Sequence, residues 1–216
     1  MEERKIREQR VQETILNDVL IPALQYLYEF DYDNIKYDVS ERNICARLAL
    51  HMENIMRRYD AGKDNPLFAK YFADVEYNRM GNGDIKRYEN SEHLPKEMVS
   101  DLLIQSRGAE PNYLAVEMKK KKNNQKREED RERLKALVSP KPVRKELKCV
   151  YGTLLGAFII YSPKDVVIEL FENVKGRGKP VGKISMVYDE EKRRLLKEAL
   201  PLAKRQVRGS KVERQN

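Results

Sequence analysis

Two short apolar segments flanking a turn constrain this chain more than any other feature. The first is Ser100-Asp101-Leu102-Leu103-Ile104-Gln105-Ser106-Arg107-Gly108, and the second is Tyr113-Leu114-Ala115-Val116-Glu117-Met118-Lys119. Each is too short for a helix and is bounded by turn-forming residues, so the pattern predicts two strands joined as a hairpin through Arg107–Asn112. Side chains two apart on a strand share a face, so Glu117 and Lys119 point one way while Val116 and Met118 point the other. Pairing then brings Asp101, at the start of the first strand, close to Glu117 near the end of the second. Two carboxylates and one ammonium converge at a sheet edge, an arrangement able to hold a divalent metal and a polarised water.

The rest of the chain surrounds that hairpin with helices and further strands. Residues 2–30 read as helix, with Ile6, Ile15, Leu16, Val19 and Leu20 at helical spacing and Pro22 kinking or restarting it. Asp31 to Asp38 reads as a polar, tyrosine-rich connector. Ser40 is a good N-cap for a second helix running to about Tyr59, whose inner face is Ile44, Leu48, Met52 and Ile55 and whose first turn carries Glu41. Ala61–Pro66 is a loop. Phe72–Met80 reads as a strand closed by the turn Gly81-Asn82-Gly83-Asp84, with Ile85–Tyr88 returning briefly before a polar stretch through Pro95.

Beyond the hairpin, a lysine-rich segment leads into a helix from Lys126 to Val138, with Asp130, Leu134 and Leu137 on one face and Ser139-Pro140-Lys141-Pro142 ending it. Leu154–Tyr161 is continuously apolar and reads as a central strand. Val166–Phe171 and Lys183–Val187 are further strands, separated by a turn over Gly176–Gly182. Asp189–Val207 reads as a final helix interrupted at Pro201, followed by a frayed tail. The order predicts an α/β fold, a central mixed β-sheet flanked by helices. Residues 1–38 are expected to form an N-terminal helical extension, 39–207 the main domain and 208–216 the tail.

Composition narrows the partners. The formal net charge of +8 favours a polyanionic partner such as nucleic acid. Cys45 and Cys149 each lie in an apolar stretch, so neither a disulfide framework nor zinc spacing is present. Met1–Gln12 is charged and lacks an apolar signal core, and no run approaches the roughly 18 apolar residues of a membrane span. These features predict a cytoplasmic protein with no membrane partner. His51 and His93 are the only histidines, and no nucleophile–histidine triad stands out. Gly178-Lys179-Pro180-Val181-Gly182-Lys183-Ile184 falls one residue short of a phosphate-binding loop and has Ile184 where a hydroxyl is needed, so it is taken as a turn.

The order of helix acid, strand acid, Glu-x-Lys, helix and strand resembles the PD-(D/E)xK nucleases, the restriction-endonuclease-like superfamily. Asp101 matches the motif aspartate, Glu117-Met118-Lys119 the Glu-x-Lys, and Glu41 the additional helix acid of many members. Ser100 stands where proline is usual. Asp74-Val75-Glu76-Tyr77-Asn78-Arg79 is similar to a strand preceding the aspartate in some uncharacterised branches, and Tyr151-Gly152 precedes the central strand as it does there. The resemblance spans Ser40 to Ser162.

It implies a restriction-endonuclease-like core with an N-terminal helical extension. The implied activity is that of a Mg²⁺- or Mn²⁺-dependent endodeoxyribonuclease-type hydrolase acting on DNA. Asp101 and Glu117 would supply the hard oxygens such metals prefer. Lys119 would stabilise charge on the attacked phosphate or orient the water; the sequence does not separate these roles. Glu41 would add a catalytic acid or metal ligand, although a first-turn acid also suits the helix dipole. Glu76 competes for that ligand position. Arg79 would reach phosphate near its turn, and Lys120, Lys121, Lys122 and Lys126 would either neutralise phosphates or form a solvated loop.

Asp130 is expected to cap, pair or pack within its helix. Tyr26, Tyr28, Tyr32 and Tyr37 either stack bases or pack. Two further readings stay open: a catalytically silent nucleic-acid-binding or regulatory module of the same fold, and an RNA-directed nuclease. A stand-alone enzyme, a homodimer through the first helix, or a subunit of a larger nuclease system in phage defence or mobile-element biology all fit.

Overall fold

The computed structural model describes residues 2–79, 84–90, 92, 94–107, 110–140, 150 and 152–198. The expected end of a strand at Met80, the turn at Gly81–Gly83, His93, Lys141-Pro142, Cys149, Tyr151 and everything from Ala199 onward lie outside them.

The first helical rod is continuous: α1 (Glu2–Thr14), a π-helical turn (Ile15–Leu20) and α2 (Ile21–Phe30). Pro22 has no backbone N–H to give, so an unbroken α-helix here would lose a bond. The wider π turn accommodates this, with Ile21 N–H reaching Leu16 O five residues back, and Pro22 falls in the first turn of α2, where proline is tolerated. The stretch expected as a connector contains a short helix, α3 (Tyr32–Lys36), pinned by buried Ile35. α4 (Glu41–Asp60) starts where the cap predicts, Ser40 Oγ accepting from Asn43 N–H at 3.3 Å, and it buries Ile44, Leu48, Met52 and Ile55.

A seven-stranded mixed sheet forms the middle layer. Its strands are β1 (Phe72–Val75), β4 (Leu102–Gln105), β5 (Leu114–Lys120), β6 (Leu155–Tyr161), β7 (Asp165–Val174), β8 (Arg177–Asp189) and β9 (Arg194–Lys197), in that spatial order. β5 and β6 are parallel, connected through α5 (Arg127–Val138), and the other neighbours are antiparallel. β2 (Arg87–Glu89), which overlaps the expected return at Ile85–Tyr88, pairs with β3 (Pro95–Glu97), at the end of the polar stretch, in a separate two-stranded ribbon. β1 is shorter than the sequence suggests because Glu76 turns the chain with φ of +51°.

Side-chain alternation on β4, β5 and β6 divides the core. Leu102, Ile104, Leu114, Val116, Met118, Ala157 and Ile159 join the face covered by the N-terminal rod and α4. Leu103, Ala115 and Phe158 join the face covered by α5, through Leu134, Leu137 and Val138. The rod is also tied to the sheet by polar bonds: Tyr28 Oη donates to Ser162 O at 2.6 Å, and the Gln25 side chain exchanges bonds of 2.7 and 2.8 Å with the Leu195 backbone.

The last third corrects two expectations. Lys175 and Gly176 both take positive φ, +52° and +83°, which makes a two-residue hairpin turn, so Gly178–Gly182 is strand rather than turn. The helix expected from Asp189 does not form over the described residues. Asp189 Oδ1 accepts the Lys192 N–H at 3.0 Å, Arg193 adopts φ of +48°, and the chain returns as β9 with Leu195 buried and Leu196 exposed. Gly178 passes so close to α5 that an added Cβ would lie 1.9 Å from Lys135 O, whereas at Gly182 the nearest atom would be 3.9 Å away. Gly178→Ala should therefore cost about 2–3 kcal/mol of folding stability through forced backbone movement, and Gly182→Ala much less; urea denaturation of both variants measures the difference.

Candidate functional site

The hairpin register, Leu102↔Val116 and Leu103↔Ala115, sets Asp101 beside Glu117. Asp101 extends the ladder with its side chain, Oδ2 accepting the Met118 N–H at 2.7 Å. Glu117 follows Ala115 on the α5 face and lies across from Phe158 of β6, with its side chain 1% exposed. Neither of its oxygens has a hydrogen-bond partner, nor does Oδ2 of Asp130. Arg133 Nη1 comes within 2.8 Å of Glu117 Oε1, an ion-pair contact whose angles fall outside those of a hydrogen bond.

α5 supplies this arginine and the nearby aspartate. Leu134 and Leu137 dock the helix on the sheet, and Asp130 and Arg133, one turn apart, ride on the same inward side. Asp130 Oδ1 is 3.4 Å from Arg133 Nη2, and its Oδ2 is 3.5 Å from Lys119 Nζ. The expectation that Asp130 pairs within its helix is met by Arg133, but Asp130 also reaches across to Lys119. Arg133 was not singled out by sequence reasoning. The available signal was an arginine one turn beyond Asp130 on an apolar helix face.

Lys119 closes the cluster near the C-terminal end of β5. Its ammonium is 3.8 Å from Glu41 Oε2 as well as 3.5 Å from Asp130, so it is attracted by several carboxylates and tightly bonded to none of these two. Glu41 belongs to the site and not only to its helix end: Oε1 accepts the Lys120 N–H at 3.0 Å and the Asn123 amide at 3.3 Å. The structure thus brings Glu41, Asp101, Glu117 and Lys119 together, with Asp130, Arg133 and Asn123 added.

Other expected residues lie elsewhere. The Glu76 N–H donates to Asp101 O, but its carboxylate makes a two-point pair with Arg42, at 2.9 and 2.8 Å. Arg79 lines a cavity of about 770 Å³ with Gln105 and Arg107, at the other end of β4. Lys120 and Lys122 both pair with Asp38, and Lys121 pairs with Asp165. Lys126 is exposed, with φ of +58°, where α5 begins. Tyr28 is buried and Tyr32 stacks on Tyr188, centroids 4.3 Å apart, so these two pack.

The electrostatics follow from burial. Removal from water pushes Glu117 up from 4.5 to about 8, with Arg133 opposing and Asp101 and Asp130 reinforcing the shift. Burial also raises Asp101, against the Met118 N–H, and raises Asp130, against Lys119 and Arg133. For Lys119 burial works downward, but the surrounding carboxylates prevail and its pKa is raised.

Among the described residues no three His, Cys, Asp or Glu side chains are grouped closely enough to form a metal cage. The chemistry of the cluster nonetheless fits a cation. Carboxylate oxygens are the donors hard divalent ions prefer, and buried oxygens without partners are what such an ion would satisfy. Also among the described residues, no helix is long and apolar enough to cross a membrane. No protein-family model matches the chain, and comparisons with curated proteins and with solved structures gave no match.

Two outcomes are expected of the metal-free chain. Because Glu117 holds a proton in the folded state up to about pH 8 but only to about 4.5 when unfolded, its contribution to stability declines as pH rises between those values. Glu117→Gln should flatten that part of the stability–pH curve, read from urea midpoints at pH 5 and pH 8.5. Arg133→Met leaves the buried carboxylates without their nearest cation and should cost about 3 kcal/mol above pH 8, with a smaller loss at pH 5.

Proposed function

We propose that this chain is a metal-dependent nuclease that hydrolyses phosphodiester bonds in DNA, built on a restriction-endonuclease-like core. The observation that carries the reading is Glu117: a carboxylate buried on the interior strand β5, Oε2 without a partner and Oε1 in an ion-pair contact with Arg133 at 2.8 Å, next to Asp101 and two residues from Lys119. An acid held this way is costly unless it serves a cation or a proton transfer. The element order, from which the resemblance was drawn, is consistent with the reading. The acid-bearing helix, the strand after Asp101, the Glu-x-Lys strand, the next helix and the central strand correspond to α4, β4, β5, α5 and β6.

Asp101 and Glu117 would hold Mg²⁺ or Mn²⁺; Glu41, 3.8 Å from Lys119, is not grouped with them closely enough to complete a three-carboxylate cage. Such an ion supplies an acidified water and neutralises charge on the attacked phosphate. The protein's own groups do the rest. Lys119, held by charge and not by short bonds, is placed to meet an anionic oxygen with little loss of existing bonding. Met118 N–H fixes Asp101, and Lys120 N–H and Asn123 fix Glu41, so both carboxylates are oriented before substrate arrives. Asp130 keeps Lys119 charged, and Arg133 balances Glu117. Partners in this reading are DNA and either a second copy or a larger nuclease system in defence or mobile-element biology.

A second reading, a nucleic-acid-binding module without turnover, draws on Arg133. Its contact with Glu117 provides the cation a metal would otherwise supply. Cleavage of supercoiled plasmid, linear duplex, single-stranded DNA and RNA with Mg²⁺ or Mn²⁺ separates the readings and identifies the nucleic acid. Metal-dependent cutting should fall about 100-fold or more in Glu117→Ala and in Lys119→Ala. Undiminished cutting in both variants overturns the site assignment; no cutting on any substrate favours the binding module.

A further inference from the structure

Next to the carboxylate cluster, between α3 and the ends of β5 and β6, lies a cavity of about 430 Å³. Ile35, Val39, Tyr161 and Pro163 contribute apolar surface to its walls. Lys36, Lys120, Lys121 and Lys122 also line it, with Asp38 the acid among them. The cavity adjoins the proposed active site through the chain itself: Lys120 follows Lys119, and its N–H holds Glu41.

Three features define what the cavity takes. Its volume suits a nucleotide-sized ligand. Apolar side chains and lysines in one lining accommodate a flat ring bearing a phosphate, and neither an ion alone nor a purely apolar molecule uses both. Tyr161, which lines the cavity, has a buried hydroxyl without a hydrogen-bond partner, and Tyr37, not itself part of the lining but between Lys36 and Asp38 in the chain, is 71% exposed. An accessible aromatic among lysines is the combination that binds unpaired bases by stacking and their backbone by charge. Lys120 and Lys122 share one carboxylate, that of Asp38, so together they carry more positive charge than it balances.

We infer that this cavity receives one unpaired nucleotide of the substrate strand, adjacent to the bond that is cut. The inference rests on the nuclease reading for the word substrate, but the nucleotide site stands on its own geometry. A base seated against Val39 and Pro163 cannot remain in a duplex stack, so strands that are single or splayed at the cut are preferred over continuous duplex.

The test uses deoxyadenosine monophosphate and inorganic phosphate as probes in calorimetry without metal, on wild type, Val39→Glu and Tyr37→Ala. Circular dichroism checks that each variant is folded. The mononucleotide should bind wild type saturably, and inorganic phosphate about tenfold more weakly. Val39→Glu and Tyr37→Ala should each weaken the mononucleotide by about tenfold or more. Equal binding of phosphate and mononucleotide, or unchanged binding in both Val39→Glu and Tyr37→Ala, overturns the proposal. A cleavage assay on matched duplex and splayed oligonucleotides separates this failure from that of the parent reading. Wild type that cuts duplex and splayed DNA equally and binds no mononucleotide loses the cavity and keeps the nuclease. Wild type that binds the mononucleotide but cuts nothing keeps the nucleotide site and loses its role beside a scissile bond.

Discussion

The contact between Glu117 and Arg133 ties the charged site to the fold. A carboxylate 1% exposed and without hydrogen bonds is penalised by several kcal/mol if it stays ionised alone. Two responses are visible: a pKa pushed up to about 8, and a guanidinium 2.8 Å away. Both depend on where α5 lies, which is decided by apolar packing of Leu134, Leu137 and Val138 on the sheet. The hydrophobic docking of one helix thus sets the protonation and pairing of a residue on a strand.

The division of the sheet explains why the charges gather where they do. On the α4 side of β5, Val116 and Met118 are fully buried, and Cys45 Sγ lies 3.6 Å from Met118 Sδ. That face has no room for charge until its edge, where Glu41 meets the Lys120 N–H. On the α5 side the apolar cluster is smaller, and Glu117 and Lys119 take the strand positions following Ala115. Asp130 and Arg133 cover them from above. Lys119 can consequently be attracted by acids from two different helices that lie on opposite sides of the sheet.

Much of this was legible in the sequence because it depends on local spacing. The two-residue period of the hairpin fixed the pairing of Asp101 with Glu117, and the helical period of α4 placed Glu41 above the same edge. What escaped depends on contacts between distant segments. Arg133 becomes significant only once α5 is docked, and the partners of the lysine run, Asp38 and Asp165, are more than forty positions away. Gly178 looked like turn chemistry, yet it is a strand glycine demanded by the nearness of Lys135 O. Leu195 and Leu196 suit a helix or a strand equally well; Asp189 capping the reversal and Gln25 bonding Leu195 across 170 positions select the strand.

In the proposed nuclease, a cation entering the site would displace both the proton of Glu117 and its contact with Arg133. Calorimetric titration of Mn²⁺ at pH 7, repeated in two buffers of different ionisation enthalpy, tests it directly. Saturable binding with release of close to one proton per site, abolished in Glu117→Gln, is the expected result, because Glu117 holds its proton up to about 8 before the metal arrives. Absence of binding, or binding with equal affinity and equal proton release in Glu117→Gln, would contradict it.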